Sequence, residues 1–465
     1  VLLEKILSAF PEVGQVYVLI RGKKNHSFED RVHQLRNEPI FTKGGRVDVK
    51  NFSKIVGIEG RIGDNGLEIS DKDRTTLTER VNVIFHVAST LRFDERLDIP
   101  MKSIFLGTKS MLSLADDTRN LSSFVYVSTA YANSNLLMPE EKVYDMDIDA
   151  DSVLSLYENN SKDDVDKLVR KKYFGGRPNT YCFTKALTEN YIRKHYNHLP
   201  IAIARPSVVT ASLSEPVPGY CDSPSAISFG IIYQGLGICR YYPLKEAALV
   251  DIIPVDISIN CLLIIAREIG MKTNPSGTVY NVSSASHWPL THKHIADWKL
   301  KAIKRSPPAT ALRPVPHTTT EISQFQQKLL NFSEFSFAVV MDLMERIRGN
   351  KRRIMKLTRF IQSIRDEQAS FYQNSWVFPR RNMDDAVARL SDEDRKLLPA
   401  VPIVKDTEEY FYNYWMSLRE MVIGESPNNI DAAQRRQKRL TFASVALPFA
   451  TATTACIVVS VVEYL

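Results

Sequence analysis

The feature that most constrains the fold of this chain is a series of short apolar runs that alternate with helical stretches. Parallel strands buried on both faces are nearly continuous apolar runs, and each connection between them is a crossover, usually a helix. The runs lie at residues 15–21, 53–59, 81–88, 122–128 and 201–205. This alternation predicts an α/β fold in which a parallel sheet carries helices on both faces.

The alternation ends near residue 290, and a different composition follows. Four prolines and a run of three threonines between residues 305 and 320 favour a linker, which we place at 305–324. We expect the sheet domain to occupy residues 1–304 and a smaller, mostly helical domain to occupy residues 325–425.

Composition excludes several classes of protein. Apolar residues make up 44% of the 465 residues and charged residues 24%, as in ordinary globular proteins, so collagen-like, globally disordered and polytopic membrane chains are excluded. The net charge of +7 is mild for this length and fits an anionic ligand or a membrane surface, while the sequence has no nucleic-acid-binding motif. Five widely spaced cysteines argue against a disulfide framework and a cysteine-rich zinc site, so we predict no metal centre.

The C-terminal end predicts a membrane partner. The 23 residues from Leu440 to Val462 carry no charge, and as a helix they extend about 35 Å, enough to cross a bilayer. A basic flank stays on the cytosolic side, and here it consists of Arg435, Arg436, Lys438 and Arg439. We expect a single C-terminal transmembrane helix on the peroxisomal or endoplasmic reticulum membrane, with the rest of the chain in the cytosol; the alternative is a buried core helix.

Tyr181 and Lys185 form the strongest local signal for chemistry. At a spacing of four residues, a helix places both side chains on one face. A nearby ammonium group favours the phenolate form of a tyrosine, which makes the tyrosine a better proton donor or acceptor. Ser128 and Thr129 follow a predicted strand upstream. Together, these groups predict a site that polarises a carbonyl oxygen.

The same spacing occurs a second time, at Tyr241 and Lys245, but Pro243 lies between them. A proline in a helix interior removes a hydrogen bond and breaks the helix, so we do not expect a site there. The alternative for the first pair is a chance tyrosine and lysine on a surface helix.

Several longer stretches carry a family resemblance. They lie at 16–21, 83–95, 127–131, 176–186, 204–212 and 251–256, with a further C-terminal stretch at 390–415. Through them the chain resembles the extended short-chain dehydrogenase/reductase superfamily and, within it, the fatty acyl-CoA reductases of the male-sterility type, especially the insect-like members. The resemblance implies a Rossmann-like, doubly wound parallel sheet. It also implies the NADPH-dependent reduction of a long-chain fatty acyl-CoA, through an aldehyde, to a primary alcohol.

The resemblance implies roles for single residues. Tyr181 and a hydroxyl of Thr129 or Ser128 donate hydrogen bonds to the oxygen on which negative charge develops. Lys185 holds the ribose of the nicotinamide, and Arg21 ends the strand beside which the 2′-phosphate of NADPH lies.

Two further cofactor contacts follow from the matching stretches. Ala88 lies where the backbone of the family passes close to the cofactor, and Pro206 lies in the stretch that follows the fifth apolar run. The alternative for Arg21 is a solvated arginine at a strand end.

Three departures from the family pattern leave alternatives open. The family's first strand and glycine-rich phosphate loop are expected before Val1, Arg61 stands where an acidic residue is usual, and Ile104 stands where an asparagine is usual. One alternative is therefore a catalytically inactive, membrane-bound homologue. The other is an extended reductase or epimerase that acts on a sterol or a nucleotide sugar.

A second region suits a membrane or an anionic ligand. Residues 335–344 are almost entirely apolar, and basic residues interleaved with apolar ones follow as far as residue 360. This composition predicts an interfacial basic amphipathic helix or a mouth for the phosphates of CoA. The alternative is a solvated helix face.

Overall fold

The computed structural model describes residues 1–444 except 23–25, 64–65, 91, 94, 225, 317–320 and 351–352. The chain forms two compact units, and each is discontinuous in sequence. Unit 1 comprises Val1–Pro218, Leu249–Leu290 and Ser375–Val404, and unit 2 comprises Gly219–Ala248, Thr291–Asn374 and the described part of Lys405–Leu465. The predicted domains at 1–304 and 325–425 are contiguous, and their boundaries stay a prediction.

The strands are short, and the first five coincide with the five apolar runs. In chain order they are β1 Val16–Ile20, β2 Ile55–Glu59, β3 Val83–His86, β4 Ser123–Val127, β5 Ile201–Pro206, β6 Val208–Thr210, β7 Leu249–Val250, β8 Ile252–Pro254, β9 Thr278–Val282 and β10 Leu290–Thr291.

The α-helices separate most of these strands and dominate the second half of the chain. They are α1 Leu2–Ala9, α2 Phe28–Arg36, α3 Pro39–Lys43, α4 Asp71–Arg80, α5 Asp98–Pro100, α6 Gly107–Asp116, α7 Ala150–Asn159, α8 Lys162–Tyr173, α9 Thr180–His195, α10 Ala226–Gly235, α11 Val255–Gly270, α12 His292–Arg305, α13 Gln324–Ile347, α14 Ile354–Glu367, α15 Ala369–Gln373, α16 Arg381–Ala388, α17 Asp392–Leu397 and α18 Thr407–Ser417. Stretches of 3₁₀-helix occupy Val49–Lys54, Ala130–Asn133 and Pro427–Asn429, and π-helical turns occupy Met101–Leu106 and Leu418–Ile423.

Unit 1 contains parallel sheets, as the apolar runs predict. β1 pairs with β2, β6 pairs with β8, and a four-stranded sheet has the order β3-β4-β5-β9. Val125 on β4 lies opposite Ala202 on β5, and Ala204 on β5 lies opposite Tyr280 on β9. Because the carboxyl ends of parallel strands meet at one edge, the loops that follow β3, β4 and β5 converge there.

Alternate residues of β4 enter two separate cores. Phe124 and Tyr126 pack in a cluster with residues of α6 and α9, whereas Val125 packs in a cluster with residues of α11 and α16. Side chains alternate across a strand, so this pattern means that helices cover both faces of the sheet. The Rossmann-like α/β expectation is confirmed.

Unit 2 is mostly helical, which confirms the expectation of a helical C-terminal region. In part of its core, Ile238, Cys239, Tyr242 and Ile361 pack together. The tyrosine of the second Tyr–Lys match lies outside any helix, as its neighbouring proline predicts, and its hydroxyl donates to the side-chain oxygen of Asn331 (2.9 Å).

The predicted transmembrane helix at 440–462 lies largely outside the described residues. Only residues 440–444 of it are described, and they continue a helix that begins at residue 430. Within the described part of the chain, no helix is both long enough and apolar enough to cross a bilayer.

Candidate active site

β4 delivers two hydroxyl side chains to the carboxyl edge of the four-stranded sheet. The backbone N–H of Ser128 donates to the carbonyl of Ala204 on β5 (2.7 Å), which holds Ser128 one residue beyond the strand. The hydroxyl of Thr129 accepts the N–H of Tyr131 (3.2 Å) and so caps the short 3₁₀-helix that follows. Both side chains are buried. The backbone therefore fixes these hydroxyls at the edge where open α/β sheets bind ligands.

A buried arginine clamps the turn that follows Thr129. The guanidinium of Arg177 donates to the carbonyl of Ala132 (2.9 Å), to the side-chain oxygen of Asn133 (2.8 Å) and to the carbonyl of Phe174 (3.2 Å). Because the guanidinium is planar and its donors point in fixed directions, these bonds hold the turn in one position.

α9 carries the predicted tyrosine and lysine on one face. Its N-terminus is capped by Asn179, whose side-chain oxygen accepts the N–H of Cys182 (2.9 Å). The N–H of Tyr181 donates to the carbonyl of Phe93 (3.3 Å), and the two rings meet edge to face at 5.5 Å. Tyr181 and Lys185 are 8% and 2% exposed, so the pair does not lie on a surface helix, and its catalytic role stays a prediction.

The Lys185 ammonium lies against the end of β4. Its Nζ donates to the carbonyl of Val127 (2.7 Å) and lies 5.0 Å from the ring centre of Tyr126 and 6.0 Å from that of Tyr181. Burial lowers the pKa of Lys185 to about 7, and the Glu189 carboxylate opposes this shift. A lysine with a pKa in this range changes its charge in response to small changes in its surroundings.

The Tyr181 phenol meets the Thr129 hydroxyl at this edge. Burial and the neighbouring Cys182 raise the pKa of Tyr181 above its ordinary value, and a hydrogen bond with Thr129 opposes the shift. The phenol is therefore protonated at neutral pH and able to donate a hydrogen bond. Burial also raises the pKa of the Cys182 thiol to about 12, so this cysteine is unsuited to act as a nucleophile.

A fully buried ion pair lies one helical turn beyond Lys185. Arg205 on β5 contacts both carboxylate oxygens of Glu189 on α9, at 3.0 and 2.6 Å, and each side chain is 1% exposed. Arg205 also donates to the carbonyls of Glu140 (3.0 Å) and Lys142 (2.8 Å). Buried charges persist when they are paired and hydrogen-bonded, and this pair ties α9 to β5.

The loop after β3 enters the same edge of the sheet. Nε2 of His86 lies 3.0 Å from the hydroxyl of Thr108, which itself donates to the carbonyl of Ile104 (2.6 Å), so Nε2 carries the proton that it donates. Burial, and then the charge of Lys185, lower the pKa of His86 to about 3 and keep it neutral. Ala88 follows two residues later and is exposed.

Pro206 ends β5, opposite Val282 on β9, and is buried. Because β5 pairs with β4, this strand end lies beside Ser128. The structure thus places the hydroxyls of β4, the tyrosine and lysine of α9, Pro206 and the loop at Ala88 on one edge of one sheet.

Arg21 lies at the two-stranded sheet of β1 and β2, which is separate from the four-stranded sheet that carries that cluster. It follows β1 and is exposed, and its carbonyl accepts a hydrogen bond from Arg31. Arg21 and Arg61, which follows β2, line a groove of about 620 Å³. The groove also contains Gly22, Glu59, Gly60, Glu68, Ser70 and Asp73. Two guanidinium groups therefore stand at neighbouring strand ends.

Three features of this region were not predicted from the sequence. In the sequence, Arg61 differs from the acidic residue that the family pattern has at this position, but its place after a predicted strand matches that of Arg21. The only sequence signal for Glu189 is its position four residues after Lys185, and that for His86 is its place near the end of an apolar run.

Comparisons with known proteins agree with this architecture. The family described as male sterility protein matches residues 1–262, and a second family with the same description matches residues 333–425. Fatty acyl-CoA reductase 1 of Xenopus laevis is 31% identical over 444 residues, which are 95% of this chain and 85% of that protein. Fatty acyl-CoA reductase wat of Drosophila melanogaster is 31% identical over 449 residues, with the same coverage.

Solved structures share the fold at low sequence identity. The terminal R domain from the myxalamid biosynthetic pathway has a TM-score of 0.59 at 18% identity and covers 92% of this chain and 89% of its own. The reductase domain of a nonribosomal peptide synthetase from Mycobacterium tuberculosis has a TM-score of 0.53 at 16% identity and covers 90% and 88%. The chain therefore belongs to the male sterility family of fatty acyl-CoA reductases, oxidoreductases that convert a fatty acyl-CoA to a fatty alcohol with a nicotinamide cofactor.

Proposed function

We propose that this chain reduces a long-chain fatty acyl-CoA to a primary alcohol with NADPH, and that Tyr181, Thr129, Ser128 and Lys185 form its active site. The observation that carries the proposal is the buried cluster at the carboxyl end of β4, where the Tyr181 phenol meets the Thr129 hydroxyl. An intact donor cluster argues against a catalytically inactive homologue. The family matches argue against an epimerase that acts on a nucleotide sugar.

The residues at this edge fit a nicotinamide cofactor. The Ser128 hydroxyl is buried and has no hydrogen-bond partner among the residues that the structure describes, so a ligand would satisfy it. Lys185 has three donor hydrogens and uses one on the carbonyl at the end of β4. We assign Lys185 and Tyr181 to the ribose of the nicotinamide, and Ala88 and Pro206 to the walls of the cofactor site.

The chain's own contribution to the reaction is mainly electrostatic. Two molecules of the cofactor, bound in succession, would supply one hydride each: the first converts the thioester to the aldehyde as the C–S bond breaks and CoA leaves as its thiolate, and the second converts the aldehyde to the alcohol. The hydroxyls of Tyr181 and Thr129 donate hydrogen bonds to the substrate carbonyl oxygen as it gains negative charge. Tyr181 then gives its proton to the alkoxide of the alcohol, and the Lys185 ammonium stabilises the resulting phenolate. Because the cluster is buried, water screens these interactions weakly.

Tyr181→Phe tests the assignment in the enzyme expressed from its full coding sequence. Removal of one hydrogen-bond donor to the transition state should lower kcat about 10²–10³-fold. Tyr191→Phe is the matched control, because Tyr191 lies on the same helix and is 8% exposed, as Tyr181 is. The assay follows NADPH oxidation with a long-chain acyl-CoA, and mass spectrometry measures the alcohol. Near-normal alcohol formation by Tyr181→Phe would falsify the assignment.

We also propose that Arg21, with Arg61 beside it, selects NADPH over NADH. A guanidinium pairs with a phosphate through two parallel hydrogen bonds, and both arginines line the groove at the ends of β1 and β2. Hydrogen bonds to charged groups contribute about 1.5–3 kcal/mol, so Arg21→Ala should lower the preference for NADPH about 10–100-fold. Kinetics with both cofactors measure this preference as a ratio of kcat/KM values. Arg119→Ala changes an exposed arginine that does not line the groove, so it should leave the ratio unchanged. Equal ratios in the wild type, Arg21→Ala and Arg119→Ala contradict the proposal.

We propose further that residues 440–462 anchor the chain in the peroxisomal or endoplasmic reticulum membrane, with the catalytic body in the cytosol. The uncharged stretch, the basic flank before it and the helix at 430–444 that leads into it support this anchor. A long-chain alcohol is poorly soluble in water, so its release at a bilayer suits the reaction. The test is extraction of membranes with carbonate at high pH, applied to the full chain and to a chain that lacks residues 440–465. If both wash off equally, the anchor is wrong.

A further inference from the structure

Two carboxylates of α13, in unit 2, lie on its buried side. Glu334 and Asp342 are 1% and 7% exposed. Glu334 pairs with the buried Arg365 (2.8 Å) and accepts the N–H of Arg240 (2.7 Å). Asp342 accepts three N–H groups at the start of α14, at 2.9 to 3.2 Å. These bonds fix which side of α13 faces the interior of unit 2.

The opposite side of α13 is apolar and exposed. This α13 stripe consists of Phe325, Leu329, Phe332, Val339, Leu343 and Ile347. The residues recur at spacings of three, four or seven, so they share one face of the helix. Phe325, Phe332 and Ile347 are 75%, 69% and 79% exposed. At 1.5 Å per residue the stripe is about 33 Å long, and a contiguous apolar surface of this kind marks a docking site.

Exposed cations lie at the C-terminal end of the stripe and continue along α14. They are Arg346, Arg348, Arg353, Lys356 and Arg359. Phe360, among them, is 46% exposed. An apolar face beside clustered arginine and lysine is the pattern of helices that lie at an anionic lipid interface.

We propose that the α13 stripe and these cations dock on the surface of an anionic phospholipid bilayer, with α13 lying in the plane of the interface. The stripe enters the boundary between headgroups and acyl chains, and the cations meet the lipid phosphates. α13 lies on the membrane and does not cross it, because Glu334 and Asp342 tie its other side into unit 2. This contact is separate from the C-terminal segment, and it does not depend on the reductase chemistry.

The charges disfavour two other occupants of the stripe. A second copy of this chain would need acidic groups to meet the cations, but each carboxylate of α13 is buried or paired, as Glu345 is with Arg348 (3.0 Å). The CoA moiety of a substrate would account for the cations, but it would leave the long apolar stripe uncovered. An anionic bilayer accounts for both the charge and the apolar surface.

Fluorescence quenching by brominated lipids tests the proposal in the full chain. A tryptophan is placed on the stripe by Phe332→Trp, and matched controls carry it at other exposed apolar positions, Val49→Trp and Met271→Trp, which are 77% and 61% exposed in the wild type. The protein is added to brominated phosphatidylcholine vesicles with and without phosphatidylserine. The apolar face of an interfacial helix is buried about 5–10 Å into the boundary between headgroups and acyl chains. We therefore expect several-fold stronger quenching for Phe332→Trp than for either control, and only on the anionic vesicles.

Two sets of substitutions in the Phe332→Trp chain separate the apolar and the charged contributions. Leu329→Asp with Leu343→Asp should abolish the quenching. Arg346→Gln with Lys356→Gln should reduce it to the level seen on neutral vesicles. All four side chains are exposed, so circular dichroism should show unchanged folding.

Other outcomes overturn the proposal. Equal quenching at all three tryptophan positions would show general adsorption, and no quenching for Phe332→Trp would show that the stripe stays out of the bilayer. Sedimentation then identifies a second copy as the occupant if Leu329→Asp dissociates a dimer. If Phe332→Trp shows no quenching and Arg346→Gln raises the KM for acyl-CoA in the absence of vesicles, the cations bind CoA.

Discussion

Replacement of Glu189 by leucine should destabilise unit 1 strongly, because it leaves the Arg205 guanidinium without its carboxylate. Both side chains are 1% exposed, so water cannot replace the lost contacts at 3.0 and 2.6 Å. Loss of one partner of a buried ion pair costs about 3–5 kcal/mol. Each kcal/mol lowers the melting temperature of a large domain by about 2–4 °C, so we expect a fall of about 6–20 °C.

The destabilisation should be smaller when both charges are removed. In Glu189→Leu with Arg205→Met, no guanidinium is left unpaired, but the carbonyls of Glu140 and Lys142 lose a donor. Glu140 and Lys142 are exposed residues, so water can replace this donor and the cost stays below that of an unpaired buried guanidinium. The double variant should therefore melt between the wild type and Glu189→Leu.

Thermal unfolding followed by circular dichroism measures these differences. The matched control is Arg193→Leu, which removes an ion pair with Asp145 from the exposed side of the same helix. Exposed pairs contribute about 0–1 kcal/mol, so this control should melt close to the wild type. If Glu189→Leu also melts within about 1 °C of the wild type, the buried pair does not stabilise α9 as argued.

Three further predictions concern single groups. The pKa of Lys185 in the folded chain is about 7, below its ordinary value of 10.5. Between these two pH values the unfolded chain binds one proton more than the folded chain, so stability should rise with pH. The melting temperature of the wild type should therefore rise relative to that of Lys185→Met between about pH 7 and about pH 9.5. Burial raises the pKa of Glu141 from 4.5 to about 7, so its contribution to stability is full below the lower value and is lost as the pH rises through the higher one, and Glu141→Gln should flatten that part of the stability profile. Asp342→Ala removes the acceptor at the start of α14 and should cost about 0.5–2 kcal/mol, seen as faster amide hydrogen exchange in the first turn of α14, whereas Asp342→Asn should keep part of the protection.

The five predicted strands could be found because each is a local apolar run, and two of them, β4 and β5, are buried along nearly their whole length. β9 was not predicted, because Asn281 interrupts its apolar run. The amide of Asn281 donates to the carbonyls of Pro139 (3.3 Å) and Pro379 (2.7 Å), and these distant contacts allow a polar side chain inside the strand. No local pattern reveals partners so far away in the sequence.

The same difference between local patterns and distant contacts decides which residues of the candidate site could be predicted. Tyr181 and Lys185 could be predicted from the sequence because their spacing on one helix is a local property. The Glu189–Arg205 pair could not, because its members lie on different elements and meet only when α9 packs against the sheet. Arg61 joins Arg21 only through the pairing of β1 with β2.

The discontinuity of unit 1 has a consequence for how the chain is made. Its last stretch, Ser375–Val404, supplies Met383, Ala386 and Leu390 to the core that also holds α11. At about 5–20 residues per second, a ribosome needs about 7–27 s to advance from Gly270, where α11 ends, to Val404. During this interval the nascent chain carries α11 with part of its apolar surface uncovered, which is the kind of surface that chaperones bind. A gene fragment that stops near residue 304 never receives that cover, so it should be recovered as aggregate.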